Sequence, residues 1–352
     1  MSSLLGTLLH AVGGFAAGSF YIPIKRVRDW AWESGWLVLG ISAWLLVPVV
    51  VAAVTTPDLG EVLAQADGSA RAYTYGFGVL WGIGGLTFGL ALRYLGISLG
   101  MAVALGLTAA FGTLVPPIYE GTLGALAATT GGVATLVGVG VCLVGIGVCG
   151  YAGVLRERAQ AAVEGLTPKL GDAAPADGEL DFRTGVLVAV VSGLLSACFS
   201  FGLAAGEPIS EASLAAGAHP LFQNNATLVV ILLGGLTTNG LYCLYLNATR
   251  GTFSDYRDGS APLAGNYAWA SLGGATWYGQ FFFYGMGTSL MDERFEFASW
   301  TLHMAFIILF STAWGLYFKE WATAGVASRR ALWWGLGLIV GSTVLIGVGN
   351  AV

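Results

Sequence analysis

Several apolar stretches of this 352-residue chain contain side chains that can exchange protons or hydrogen bonds. His10, Gln280 and His303 each lie inside such a stretch, and so does the Gln223-Asn224-Asn225 triplet. A strongly polar side chain within a membrane span is costly unless it is paired, so each is a functional candidate. Amides and imidazoles together can hydrogen-bond a polyhydroxylated solute, and an imidazole also titrates near neutral pH. Each histidine alone is equally consistent with a structural residue bonded to a backbone carbonyl.

Two tryptophan positions add a second kind of chemistry. Trp81 and the Trp277-Tyr278 pair fall in the middle of apolar stretches, away from the interfacial ends where tryptophan is usually enriched. An indole face packs well against the C–H face of a hexose ring, and a deoxy sugar adds a methyl group suited to an apolar pocket. Trp44, Trp314, Trp333 and Trp334 are equally compatible with lipid-facing or core positions.

The composition indicates whether these residues belong to a water-soluble protein or to a membrane protein. Charged residues make up 10% of the chain, against about 25% in soluble domains, and apolar residues reach 56%. Such a chain is not disordered, and a net charge of −5 without a basic cluster argues against nucleic-acid binding. The four cysteines lie in apolar runs without the spacing of a disulfide framework. A polytopic helical membrane protein remains.

Ten stretches approach the length of about 20 apolar residues that a spanning helix needs. The first starts almost at Met1 and lacks a basic n-region and a cleavage pattern, so we interpret it as a retained helix. The predicted spans are 4–24, 33–54, 72–92, 95–117, 131–153, 183–206, 219–247, 267–289, 297–318 and 331–350.

One polar segment, residues 154–181, divides the spans into five and five. We therefore predict a five-helix repeat over 1–153, a cytoplasmic linker over 154–181 and a second repeat over 182–352. An odd number of spans in each half makes the halves inverted, as in many secondary transporters. The echo between Gly96-Ile97-Ser98-Leu99 and Gly287-Thr288-Ser289-Leu290 agrees, although chance also explains a short match in a glycine-rich chain.

Basic residues predict the orientation. The loops after the first, third, fifth, seventh and ninth spans hold 13 of the 15 lysines and arginines. Positive loops face the cytoplasm, so both termini are predicted to lie outside. The two intramembrane histidines and the amides then share a level about 6–14 Å below the outer face, at about 1.5 Å per residue.

The loop between the first two spans suggests a gate. Lys25 pairing with Glu33 at the start of the second span would close the inner side, although Glu33 also suits a helix N-terminus. Lys25 and its basic neighbours are also compatible with anchoring to anionic lipid. Arg93 has the same ambiguity. The chain has no P-loop, no metal-ligand spacing and no catalytic pair at membrane depth, which argues against an enzyme and a bound cofactor.

Five strings of the sequence resemble one known family. They are FYIPIKRVRDWAWE at 20–33, RYLGISLG at 93–100, WYGQFFFYGMG at 277–287, SWTLHMAF at 299–306 and Lys319-Glu320-Trp321. These strings are similar to those of the bacterial L-rhamnose–proton symporters, a family of the drug/metabolite transporter superfamily. The resemblance covers essentially the full length and implies ten transmembrane helices in an all-α, five-plus-five inverted repeat.

The resemblance implies proton-coupled uptake of L-rhamnose or a close 6-deoxyhexose across the bacterial inner membrane, with bound lipid and without a cofactor or metal. The solute is expected between the two repeats. Expected substrate-binding residues are Gln280, Trp277, Trp81, Asn225, Asn224, Tyr21 and Tyr284; the coupling proton is assigned to His303 or His10, then Glu33; Lys25 and Arg93 would serve gating. A metabolite or drug exporter and a non-transporting sugar sensor are the alternatives. The sequence does not specify an oligomeric state.

Overall fold

The computed structural model describes residues 2–95, 97–163, 182–291, 298–322 and 324–349, without the side chains of 2–3, 93, 97–99, 160–163 and 182. Within these ranges all regular secondary structure is helical, and there is no strand. The long helices are α1 (Ser2–Ser19), α2 (Trp32–Thr55), α3 (Gly68–Leu95), α4 (Ile97–Tyr119), α5 (Thr130–Val163), α6 (Phe182–Ala205), α7 (Asn225–Arg250), α8 (Leu263–Thr288), α9 (Ala298–Tyr317) and α10 (Val326–Gly349).

Nine helical segments in the described residues are long and apolar enough to cross a membrane. Helix α8 is not among them, although it has 26 residues. Its sequence contains Asn266, Gln280 and several glycine, tyrosine and tryptophan residues, all of which lower the mean hydropathy. The predicted membrane class is therefore confirmed by nine segments, and the polar composition of α8 separates it from the others.

Local sequence explains where several helices begin and end. Asp67 caps α3 by accepting hydrogen bonds from the Ser69 hydroxyl and the Ala70 N–H, and these bonds lower the pKa of the Asp67 carboxyl. Gly251 ends α7 in the left-handed region at φ +72°. The predicted seventh span began at residue 219, whereas α7 begins at Asn225, because a 3-10 turn over Pro220–Phe222 precedes it. Helix α5 continues past its predicted end to Val163.

The helices form two compact units. One unit contains Met1–Thr7, Gly84–Ala197 and Met291–Val352; we call it the α4/α5/α9/α10 unit. The other contains Leu8–Ile83 and Cys198–Leu290 and is called the α1/α2/α7/α8 unit. Each unit contains segments from both predicted repeats, so the compact units do not coincide with the two halves of the sequence. The repeat boundaries at 153 and 182 stay a prediction.

Glycines hold α5 and α10 together in the α4/α5/α9/α10 unit. A Cβ on Gly335 would lie 2.5 Å from Cys149 Sγ and 2.8 Å from Cys149 N. A Cβ on Gly145 would lie 2.9 Å from the Ile339 side chain. Small residues at such crossings let helix backbones approach closely, and the packing gained replaces a hydrophobic driving force that lipid does not provide. Gly145 on α5 and Gly335 on α10 therefore form a packing surface between the two helices.

We expect Gly335→Ala to lower the thermal unfolding midpoint of the detergent-solubilised protein. The added methyl must displace the α5 backbone at Cys149, and overpacking of this kind costs about 1–3 kcal/mol. Gly337→Ala is the matched control, because a Cβ there meets nothing within 4 Å. Fluorescence-detected size-exclusion chromatography after heating measures both. Equal midpoints for the two variants would contradict the glycine-mediated contact.

Candidate functional site

Five aromatic rings meet in the α1/α2/α7/α8 unit, and we call them the aromatic cluster: Trp44, Trp81, Phe199, Trp277 and Phe281. The rings of Trp81 and Trp277 lie 5.7 Å apart between centroids. Trp44 stands edge-on to both, at 5.3 Å from Trp277 and 6.3 Å from Trp81. Phe281 contacts Trp277 at 4.9 Å and stacks on Phe199 at 4.1 Å. The two tryptophans singled out by sequence are thus neighbours.

Three of the predicted substrate-binding residues lie on one face of helix α8. Trp277, Gln280 and Tyr284 follow one another at spacings of three and four residues, which align side chains on a helix. Gln280 and Tyr284 are both buried. Within the described part of the chain, the Gln280 amide makes no hydrogen bond. An amide with two donors and an acceptor beside an indole is a pairing suited to a sugar hydroxyl.

His10 of α1 lies against this face. Its ring centroid is 5.3 Å from that of Tyr284, with the two rings tilted by 56°. The imidazole is completely buried, and neither ring nitrogen has a hydrogen-bond partner among the residues that the structure describes. Buried polar atoms are paired in most proteins, so an imidazole in this state is a candidate for binding a proton or a ligand group.

The two asparagines at the start of α7 are bonded to protein groups. Asn224 Nδ2 donates to the Gly285 carbonyl at 3.3 Å, and its Oδ1 accepts from the Ser210 hydroxyl at 3.0 Å. Asn225 Nδ2 donates to Thr55 Oγ1 at 2.8 Å. These bonds tie the start of α7 to the ends of α8 and α2. The predicted contact of either amide with substrate therefore stays a prediction.

Glu33 is fully buried and forms an ion pair with Arg250, not with the predicted partner Lys25. Arg250 Nη1 lies 3.1 Å from Glu33 Oε2, and the Thr252 hydroxyl donates to Oε1 at 3.0 Å. The carboxylate therefore faces the end of α7, whereas Lys25 is exposed after the short helix Tyr21–Ile24. Proximity along the chain suggested Lys25 as the partner. The cation that pairs with Glu33 is instead Arg250, on a helix from the other half of the sequence.

A polar network surrounds this ion pair. Asn247 Nδ2 donates to Ser34 Oγ at 3.1 Å and to Thr252 Oγ1 at 2.8 Å, while its Oδ1 accepts from the Tyr256 hydroxyl at 2.9 Å. Asp255 accepts from the Ser34 hydroxyl at 2.7 Å. Every member bonds another member, so the network joins the start of α2 rigidly to the end of α7.

The remaining predicted residues are Tyr21, Lys25 and Arg93. Tyr21 is 48% exposed and packs on Phe20 at 4.4 Å between ring centroids. Lys25 is also exposed. The side chain of Arg93 is outside the described residues, so its predicted gating role stays a prediction.

His303 belongs to the α4/α5/α9/α10 unit. It is fully buried on α9, 6.2 Å between ring centroids from Trp300. Trp300 Nε1 donates to the Thr108 carbonyl at 3.0 Å, and the hydroxyls of Thr113 and Thr301 bond each other at 2.7 Å. These bonds join α9 to α4 and hold the helix turn that carries His303. The two intramembrane histidines thus belong to different compact units.

The sequence interpretation did not include Asn239. Its Oδ1 accepts from Trp36 Nε1 at 3.3 Å, and its Nδ2 donates to the carbonyls of Gly235 at 3.1 Å and Gly82 at 3.4 Å. The bond to Gly82 fixes the α3 backbone next to Trp81, and a Cβ on Gly235 would collide with the Trp81 ring. Asn239 is an amide inside an apolar stretch, so the criterion that identified Gln280 also identifies it.

The described residues contain no candidate metal site. No group of three His, Cys, Asp or Glu side chains there could hold an ion, and all four cysteines are free thiols.

Comparison with known proteins gives a consistent result over the full length. The family described as L-rhamnose-proton symport protein (RhaT) matches residues 1–352. A protein of Mannheimia succiniciproducens named L-rhamnose-proton symporter is 37% identical over 353 residues, covering 99% of each chain. Proteins with the same name from Cronobacter sakazakii and Salmonella paratyphi A are 36% and 37% identical over 350 residues, covering 99% of this chain and 98% of theirs.

We expect Arg250→Gln to destabilise the protein more than Lys25→Gln does, because the buried Glu33 carboxylate pairs with Arg250. Removal of Arg250 leaves the buried Glu33 carboxylate without its cation; because Arg250 is 58% exposed, the cost is about 1–3 kcal/mol, below that of a fully buried pair. Adding Glu33→Gln to Arg250→Gln should restore most of the loss. Thermal unfolding midpoints of the three variants test this. A shift for Lys25→Gln as large as that for Arg250→Gln would contradict the pairing.

Proposed function

The chain belongs to the L-rhamnose-proton symport protein family, and from this premise we propose that it takes up L-rhamnose, or a close 6-deoxyhexose, together with protons. The family match over the entire chain is the observation that carries the proposal. A carrier that couples a solute to a proton gradient needs neither a nucleotide nor a catalytic pair. The proposed mechanism is alternating access, in which one binding site opens to each side in turn.

The proposed sugar site is centred on the aromatic cluster and the adjoining face of α8. The half-buried indoles of Trp81 and Trp277 stack on the C–H faces of the sugar, and the Gln280 amide exchanges hydrogen bonds with its hydroxyls. Tyr284 lies on the same α8 face and is the next hydrogen-bonding group. Asn224, Asn225 and Tyr21 complete the proposed set at its margin.

The proposed proton carriers are His303 and His10, with Glu33 as the third candidate. The position of His10 against Tyr284 supports coupling, because a protonated imidazole there changes the charge beside the sugar-binding face. Protonation from the outside would favour sugar binding, and loss of the proton on the inner side would favour release. Such coupling is reciprocal, so sugar also raises the affinity for the proton. Glu33 is less suited, because Arg250 already stabilises its charge.

The proposed architecture has ten crossings, with α8 as the crossing whose polar face serves the substrate. A helix of 26 residues is long enough to span about 30 Å, and neighbouring helices can satisfy its amides. We further propose inverted repeats over 1–153 and 182–352, joined by the linker 154–181. The proposed superfamily is that of the drug/metabolite transporters. The proposed location is the bacterial inner membrane, with both termini outside. The excess of basic residues in the odd-numbered loops supports this orientation. Gating stays the proposed role of Lys25 and Arg93, with anchoring to anionic lipid headgroups as the alternative.

Uptake by the purified chain in proteoliposomes tests the function. With an acidic exterior, we expect labelled L-rhamnose to accumulate above its external concentration and a protonophore to abolish the accumulation. L-Mannose, which carries a hydroxyl on the sixth carbon, should compete about tenfold less well, because that hydroxyl loses hydrogen bonds in an apolar pocket. Protein-free liposomes are the control. Binding without counterflow would indicate a sensor, and counterflow without gradient-driven accumulation would reject proton symport.

We expect His303→Ala to abolish proton-driven accumulation while L-rhamnose counterflow persists. Counterflow exchanges sugar without net proton movement, so it survives loss of the proton carrier. His10→Ala is measured beside it, because the two imidazoles are the competing carriers. Accumulation by His303→Ala together with loss in His10→Ala would move the coupling role to His10. Full accumulation by both variants would reject both histidines.

A further inference from the structure

The indole of Trp44 has an unusual position for a donor group. It is 3% exposed, in the middle of α2, and its Nε1 has no hydrogen-bond partner among the described residues. Trp36 on the same helix and Trp300 on α9 both donate their indole N–H to protein acceptors. Hydrocarbon provides no acceptor for an unpaired N–H, so this buried donor needs one from elsewhere.

Local backbone geometry directs Trp44 into the aromatic cluster. Residues Ser42–Leu46 form a π-helical turn, and Pro48 follows in the next turn. Because Pro48 has no N–H and its ring would clash with the carbonyl four residues earlier, a regular α-helix is disfavoured at Trp44. The π turn widens the helix and changes the direction of its side chains, a feature frequent at functional sites. The missing side chain of Gly40 provides the space that the Trp44 ring occupies, since a Cβ at Gly40 would lie 2.6 Å from that ring.

Helix α8 holds this turn in place. Ser42 Oγ donates to the Ser271 carbonyl at 2.8 Å. A Cβ on Gly274 would lie 2.7 Å from Ser42 Cβ and 3.0 Å from the Ala43 nitrogen, so the backbones of the two helices are in direct contact. The same helix carries Trp277 one turn further on. This helix contact therefore fixes the position of the Trp44 N–H relative to the ring face of Trp277.

We propose that Trp44 is a further substrate-binding residue, whose indole N–H donates a hydrogen bond to one oxygen of the bound sugar; this inference rests on the sugar transport proposed above. Stacking on the indole faces of Trp81 and Trp277 stabilises a bound sugar but discriminates little between one sugar and another. A single fixed donor requires an acceptor oxygen at one place on the ring. Because an indole N–H cannot accept, it selects an oxygen in a way that the Gln280 amide does not. Trp44 thereby contributes to orientation and specificity.

The experiment removes the donor while keeping the ring. Trp44→Phe, and a second variant with 3-benzothienylalanine at position 44, in which sulfur replaces the N–H, are compared in proteoliposomes with the unsubstituted chain. Half-saturation for L-rhamnose in counterflow should rise about three- to tenfold in both variants, the loss expected for one neutral hydrogen bond. Trp333→Phe and Trp334→Phe are the matched controls, because both indoles are exposed and lie outside the cluster.

Five L-rhamnose analogues, each lacking or replacing one sugar oxygen, separate binding from a structural effect. One analogue should lose affinity in the unsubstituted chain and lose none further in the two Trp44 variants, since the bond has already been removed. An unchanged half-saturation concentration in both variants would overturn the role of Trp44 but not the proposed function. Equal additional losses of affinity for all five analogues would do the same. Absence of L-rhamnose counterflow by the unsubstituted chain would overturn the proposed function, and this inference with it.

Discussion

Hydrocarbon offers no hydrogen bonds, so each polar group in a membrane helix must find its partner within the protein or in a ligand. This constraint divides the polar residues of the chain into two sets. Asn239 and Asn247 bond neighbouring helices and fix their positions. His10 and Trp44 are buried donors without a partner in the described residues. The first set builds the scaffold, and the second set defines where a ligand or a proton is expected.

Glycine determines how closely the scaffold can bring these groups together. Gly274 lets the π turn of α2 rest on α8, and Gly235 leaves room for the Trp81 ring on α7. Trp81 and Trp277 meet because helices with small residues at their crossings approach each other closely. The high glycine content, 54 residues, therefore serves the site directly as well as the packing of α5 on α10.

Part of the candidate site could be predicted from the sequence because an isolated polar residue in an apolar stretch is conspicuous. This reasoning identified His10 and Gln280, and helical spacing places Tyr284 on the face of Gln280. It failed for Glu33, whose partner Arg250 lies 217 positions away in sequence. The sequence does not distinguish the role of Trp44, because a tryptophan in an apolar stretch is compatible with a lipid-facing, core or ligand-binding position until its neighbours are known.

The sequence by itself determined the helical membrane class, most helix bounds and the family. The membrane class and the helix bounds follow from composition and apolar length, which are local, and the family follows from the resemblance of five strings of the sequence. Only the tertiary structure decided that Glu33 pairs with Arg250, that Asn239 joins three helices, and that Trp44 meets Trp81 and Trp277. All of these contacts except Trp44–Trp81 join helices that are distant in the chain. The packing of glycines and aromatic rings that selects them is not encoded in the hydropathy of any single helix.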